Sequence, residues 1–143
     1  MSNTLEKIIN EKRGSIEKYK KTYKVDYLKE KISLYKNYLN FKDKLNNNKV
    51  SVIAELKKAS PSAGIIVENY NPVAIAKQYL NSGASCLSIL TEENHFKGKL
   101  EHLTEVKNEI KLPVLCKDFF IDPYQVYLAK SFGADAILII LAS

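Results

Sequence analysis

Two stretches of the sequence place charged residues where a buried strand would carry none. The first is Val52-Ile53-Ala54-Glu55-Leu56-Lys57-Lys58-Ala59-Ser60-Pro61-Ser62-Ala63-Gly64. Side chains alternate along a strand, so Ser51, Ile53, Glu55 and Lys57 share one face while Val52, Ala54 and Leu56 face the packing helices. Glu55 and Lys57 then stand together at the C-terminal end, where Ser60-Pro61 opens a loop and Gly64 is free to turn sharply. The second stretch is Leu112-Pro113-Val114-Leu115-Cys116-Lys117-Asp118-Phe119, in which Leu115, Lys117 and Phe119 share a face. A lysine held at a strand end beside a carboxylate can act as a general acid. The same residues also fit surface charges at a loop, an exposed Lys117-Asp118 pair and a plain turn at Ser60–Gly64. Taken alone, the side-chain chemistry does not name a substrate.

Elements of a particular kind must position these residues. Short apolar runs occur at Val50–Leu56, Cys86–Leu90, Val114–Cys116 and Ala136–Leu141, with helical stretches between them. Asn71-Pro72 opens one helix and Gly83 ends it; Asp122-Pro123 opens another and Gly133 ends it, which is the expected polarity of cap, proline and glycine. Strands alternating with helices predict a parallel sheet. Ile137 to Leu141 is apolar at every position, as for a strand covered on both faces. Ahead of this region, Leu5, Ile8 and Ile9 form a short stripe interrupted by Gly14. Leu28, Ile32, Tyr35, Leu39 and Lys42 keep helical spacing, with Phe41 and Leu45 alongside and Asn46, Asn47 and Asn48 as the stop. Two amphipathic helices over residues 1–49 and an α/β unit over 50–143 follow. In an α/β barrel the C-terminal mouth of the strands is where active sites are built.

Bulk properties exclude several classes of function. The 143 residues are enough for one domain with a core, and 45% hydrophobic with 27% charged residues is ordinary for a globular chain. Apolar runs are too short to span a bilayer, and residues 1–10 lack a signal-peptide core, so a cytoplasmic protein without a membrane partner is expected. Cys86 and Cys116 lie in strand-like runs and read as reduced core thiols. His95 and His102 are expected at the surface, with no metal constellation around them. The net charge of +6 comes with a general enrichment in Lys, Asn, Ile and Tyr, the imprint of an AT-rich genome. Nucleic acid is therefore not the expected partner, although the charge favours an anionic small molecule.

The first stretch closely resembles the signature at the first barrel strand of indole-3-glycerol-phosphate synthases, in Val52 through Ser62. Three further blocks resemble the same family in the same order: Cys86–Thr91 with Phe96-Lys97-Gly98, Leu112–Phe119, and Gly133–Ile140. The resemblance covers residues 3–143. It implies the N-terminal part of a (β/α)8 TIM barrel, about four strands, preceded by two extra helices. It also implies a lyase of tryptophan biosynthesis. That family closes the indole ring of 1-(2-carboxyphenylamino)-1-deoxyribulose 5-phosphate with loss of carbon dioxide and water, using no cofactor and no metal. By this resemblance Lys117 is the general acid that protonates the ketone oxygen. Glu55 hydrogen-bonds to the substrate and positions Lys117. Lys57 pairs with the substrate carboxylate or phosphate and assists the dehydration. Ser60 and Pro61 line the mouth, and Phe96, Phe119 and Leu138 form an apolar wall for the anthranilate ring.

Departures from the family pattern are few. Cys116 replaces a bulkier residue before the catalytic lysine and is expected to face the helices. Ala63 stands where a lysine is frequent. A complete barrel of this kind needs about 250 residues, so the family's fifth-strand glutamate base and its phosphate-holding loops fall outside this chain. A fragment of very low activity, with open sheet edges prone to self-association, is the expectation. The alternative is a stand-alone half-barrel serving as a binding or assembly module, which would be a homodimer in solution. Phosphoribosylanthranilate isomerase, another phosphosugar barrel, lacks the Glu55–Ser62 signature.

Overall fold

The apolar runs pair side by side as a parallel sheet in the computed structural model, which describes residues 3–45 and 48–143. The elements in chain order are α1 (Asn3–Thr22), α2 (Val25–Leu34), a 3-10 turn (Lys42–Leu45), β1 (Ile53–Leu56), β2 (Ala59–Ser60), β3 (Gly64–Ile65), α3 (Pro72–Asn81), β4 (Cys86–Leu90), α4 (Glu101–Glu109), β5 (Val114–Lys117), α5 (Tyr124–Ser131) and β6 (Ala136–Ile137). The main sheet has the order β1-β4-β5-β6, all parallel, while β2 and β3 form a separate antiparallel pair. Strands therefore follow one another in sequence order, each reached through one helix.

Register fixes which side chains share a face. Glu55 lies opposite Ser88, Ser88 opposite Leu115, and Leu90 opposite Lys117. The other face carries Leu56, Leu87, Ile89, Val114 and Cys116, all in one core with Ala76 of α3, Leu103 and Val106 of α4, and Leu128 and Ala129 of α5. All three helices cover the same face. This single winding is the repeating unit of a (β/α)8 barrel, whereas doubly wound sheets place helices on both faces. Each fully buried Leu, Ile or Val contributes about 1.5–3 kcal/mol of transfer free energy, so this outer layer dominates the stability of the sheet. The thiol of Cys116 belongs to it, and burial pushes that thiol up to about 12. Both cysteines are buried and unpaired.

Helix punctuation follows the sequence. The Asn71 side chain accepts from the Ala74 amide 3.1 Å away, with Pro72 in the first turn. Asp122 accepts the Tyr124 amide at 2.8 Å. Gly83 and Gly133 take positive φ just past the helices they end.

Several elements differ from expectation. Gly14 does not interrupt the first helix; α1 runs through it, because open space surrounds that position and packing at Ile8, Ile9 and Ile16 holds both halves. The second helix stops at Leu34 rather than running on to the asparagines, of which Asn46 and Asn47 lie outside the described residues. Residues 35–40 form an extended strap instead. Tertiary bonds there displace helical ones: the Leu39 amide donates to Asp135 at 2.7 Å, and the Tyr38 hydroxyl to the Lys130 carbonyl at 2.6 Å. Val52 is half exposed and lies one residue ahead of β1, which begins at Ile53. The run from Ile137 to Leu141 is not a doubly covered strand. Pairing ends at Ile137, β6 has a neighbour on one side only among the described residues, and Ile139 and Leu141 are 59% and 100% exposed. No helix among the described residues is long and apolar enough to cross a membrane.

Candidate active site

The concave face of the sheet brings Glu55 and Lys117 together. They stand on β1 and β5 with β4 between them, so their backbones are roughly 9–10 Å apart across two strand spacings. Only two long side chains on the inside of a curved sheet can close that gap. The Lys117 ammonium lies 3.0 Å from Glu55 Oε1 and 3.4 Å from Oε2. The Tyr79 hydroxyl of α3 donates to the Glu55 carbonyl at 2.9 Å and fixes the strand end from behind. The pair is open to solvent, at 37% for Lys117 and 34% for Glu55. Such an ion pair contributes only about 0–1 kcal/mol to stability. It is free to exchange partners with an incoming anion or carbonyl oxygen.

Beside this pair, the rings of Phe96 and Phe119 are 6.2 Å apart and tilted by 43°. Both are half-buried and belong to the loops that follow β4 and β5. Leu138 lies one step past the last paired residues, Cys116 and Ile137, which places it next to Lys117 in register, and it is 36% exposed. Lys57 is the first residue after β1. Among the described residues it forms no ion pair, and neither it nor Ser60 bonds to Glu55 or Lys117. Ser60 instead accepts the Ala63 amide at 3.1 Å inside the β2–β3 hairpin, and Pro61 is exposed at its turn.

The loop after β4 is built around a carboxylate that sequence reasoning did not single out. Glu92 is 2% exposed and accepts the amides of Asn94, His95 and Phe96 at 3.0, 2.7 and 2.9 Å. Lys97 takes φ 56°, and the next residue must be glycine: a Cβ on Gly98 would sit 2.2 Å from the Leu90 carbonyl oxygen. The backbone is thereby committed to presenting Phe96 at the sheet end.

The loop after β5 is held in the same manner. Asp118 is 8% exposed and does not pair with its neighbour Lys117; the two side chains project to opposite faces. Its carboxylate accepts the Thr91 hydroxyl at 2.7 Å, the Phe119 amide at 2.8 Å and the Lys12 ammonium of α1 at 2.8 Å. Gln125 grips the other side, donating to the Phe119 carbonyl at 2.8 Å and accepting the amides of Ile121 and Asp122 at 2.7 and 3.0 Å. The visible signal for these residues is polar chemistry at strand ends that should otherwise be apolar.

Helix α1 braces both loops. Besides Lys12, the Tyr19 hydroxyl donates to Glu93 at 2.9 Å, and Glu11 lies 2.7 Å from the His95 ring. His95 and His102 are half-buried rather than at the surface, His102 against the ring of Tyr70. The His95 hydrogen bond holds the Glu11 carboxyl below its ordinary 4.5. A depressed folded-state value means the contact stabilises fully above about pH 4.5 and is lost as pH falls through that depressed value. Hydrogen exchange of α1, corrected for intrinsic rate, should accelerate on acidification below that point, and Glu11→Gln should reduce the acceleration. An equal acceleration in the variant would show that the contact does not anchor the helix.

Residues 5–143 match the sequence model of the family described as indole-3-glycerol phosphate synthase. The chain is 44% identical over 142 residues to the indole-3-glycerol phosphate synthase of Acaryochloris marina, covering 98% of this chain and 47% of that protein. It is 43% identical over 142 residues to the one from Trichodesmium erythraeum, covering 98% and 48%. It is 45% identical over 139 residues to the one from Clostridium acetobutylicum, covering 96% and 53%. The chain spans about half the length of the curated relatives it matches. With a singly wound parallel sheet, a lysine–carboxylate pair at its strand ends and a family match along almost all its length, the chain belongs to the indole-3-glycerol phosphate synthase family.

Proposed function

We propose that the protein carrying this chain is a cytoplasmic carboxy-lyase that makes indole-3-glycerol phosphate. The reactant is 1-(2-carboxyphenylamino)-1-deoxyribulose 5-phosphate, and the other products are one carbon dioxide and one water. The observation that carries this reading is the solvent-open Lys117–Glu55 pair beside the Phe96–Phe119 rings. Lys117 gives a proton to the ketone oxygen as the aromatic carbon attacks, so that oxygen leaves later as water. Glu55 holds the ammonium before the substrate arrives and then bonds to the substrate. Lys57, free of carboxylate partners among the described residues, takes a substrate anion and assists in the dehydration. Phe96, Phe119 and Leu138 bear on the anthranilate ring, and Ser60 and Pro61 close the mouth on the β2–β3 side. The reaction drawn this way uses no cofactor.

The test is to incubate the natural-length protein with this substrate and follow indole fluorescence together with carbon dioxide release. Equal appearance of both supports the reading. A folded protein that binds the substrate but releases neither overturns it.

A further inference from the structure

Lys12 stands far from the sheet in sequence, yet it is the cation that neutralises Asp118. The two atoms are 2.8 Å apart, with side-chain exposures of 12% and 9%. This differs from the half-exposed pair that α1 also makes through Lys20 with Asp122. Asp118 follows Lys117 directly and is the hub of the turn after β5. One of its oxygens accepts the Phe119 amide and the other the Thr91 hydroxyl. Thr91 in turn donates its own amide to the Lys117 carbonyl at 3.1 Å. A single carboxylate therefore fixes the peptide that carries the lysine and the peptide that carries the Phe119 ring.

A buried carboxylate keeps this geometry only while a cation faces it. Deprived of its partner, it loses the charge that offsets its burial and turns toward water, which releases bonds it now accepts. Glu11 adjoins Lys12 and Tyr19 lies about two helical turns on, and their contacts with His95 and Glu93 hold α1 against the loop after β4. The helix thus delivers one charge to one place.

We propose that Lys12 is a positioning residue for ring closure, acting through Asp118 to set where the Lys117 ammonium and the Phe119 ring meet the substrate. The inference rests on the proposed role of Lys117 and adds to it a contribution from outside the barrel strands. A displacement of the acid by about 1 Å costs up to about a hundredfold in rate. The effect belongs in kcat, because Lys57, the residue proposed to take the substrate anion, follows β1 and has no bond to Asp118 among the described residues.

The experiment compares Lys12→Met, Lys12→Arg, Asp118→Asn and the double variant Lys12→Met/Asp118→Asn in the natural-length protein, with Lys117→Ala as control. Rates are normalised to the folded fraction measured by circular dichroism. Lys12→Met should lower kcat by about 10–100-fold with KM within about threefold, and Lys12→Arg should retain most of the activity. The double variant should be no slower than Asp118→Asn, since an uncharged amide no longer needs the cation. If Lys12→Met does not fold, Lys12→Gln replaces it with the same expectation. A Lys12→Met or Lys12→Gln protein with wild-type kcat, or a double variant in which the losses multiply, would overturn the inference. Activity that survives Lys117→Ala would instead strike at the role of Lys117 itself.

Discussion

Lys117→Ala should lower kcat by about 10²–10⁴-fold, the range supplied by a positioned general acid. The geometry says why the loss belongs to chemistry and not to folding. Lys117 ends β5 on the concave face, and its ion pair with Glu55 is more than a third exposed. Its removal leaves no buried charge alone, so thermal stability should barely move. The structural hub beside it, Asp118, keeps Lys12, Thr91 and the Phe119 amide whatever stands at position 117. Lys117→Arg separates two roles of the lysine. Guanidinium still pairs with Glu55 and with anions but does not give up a proton, so substrate binding should survive while turnover does not. Steady-state rates for both variants, beside melting curves, check the expectation. A Lys117→Ala enzyme within a few-fold of wild type would remove the lysine from the reaction.

Much of this arrangement is legible in the residues. Strict alternation puts Glu55 and Lys117 on one face of their strands, and Asn71-Pro72, Gly83 and Gly133 mark helix ends where they are found. What alternation does not contain is curvature, and the two side chains meet across β4 only because the sheet is concave. The roles assigned to Lys57, Ser60, Pro61 and Leu138 come from family resemblance, as no bond among the described residues ties them to Glu55 or Lys117. Helical spacing over 28–42 pointed to a longer α2 because period says nothing about the Asp135 and Lys130 groups that capture residues 38 and 39. Lys12 is marked by its place on α1. It lies four residues from Ile8 and four from Ile16, both buried, so a lysine occupies the apolar stripe of α1 and needs a buried partner.

The other large effect is expected at the opposite end of the sheet, where Asp135→Ala should destabilise the fold by about 3–5 kcal/mol, the cost of leaving one member of a buried ion pair alone. Lys107 and Asp135 are 2.7 Å apart with side-chain exposures of 2% and 0%. The same carboxylate accepts the Val114 amide at 2.8 Å and the Leu39 amide at 2.7 Å. One side chain thus joins α4, the start of β5 and the extended strap. Alanine would strand the lysine and two amide donors in a space they cannot leave. Asp135→Asn keeps an acceptor for one of the two amides but loses the charge and the second acceptor, so its loss should be smaller than that of alanine. Val114 and Ala136 begin their strands, which puts this cluster at the N-terminal end of the sheet, the end that serves stability in barrels of this kind. Activity per folded molecule should therefore stay near wild type while the urea midpoint falls sharply. A midpoint unchanged by Asp135→Ala would mean that the buried pair does not hold the strap to the sheet. A loss of turnover in molecules that remain folded would mean that the two ends of the sheet are coupled.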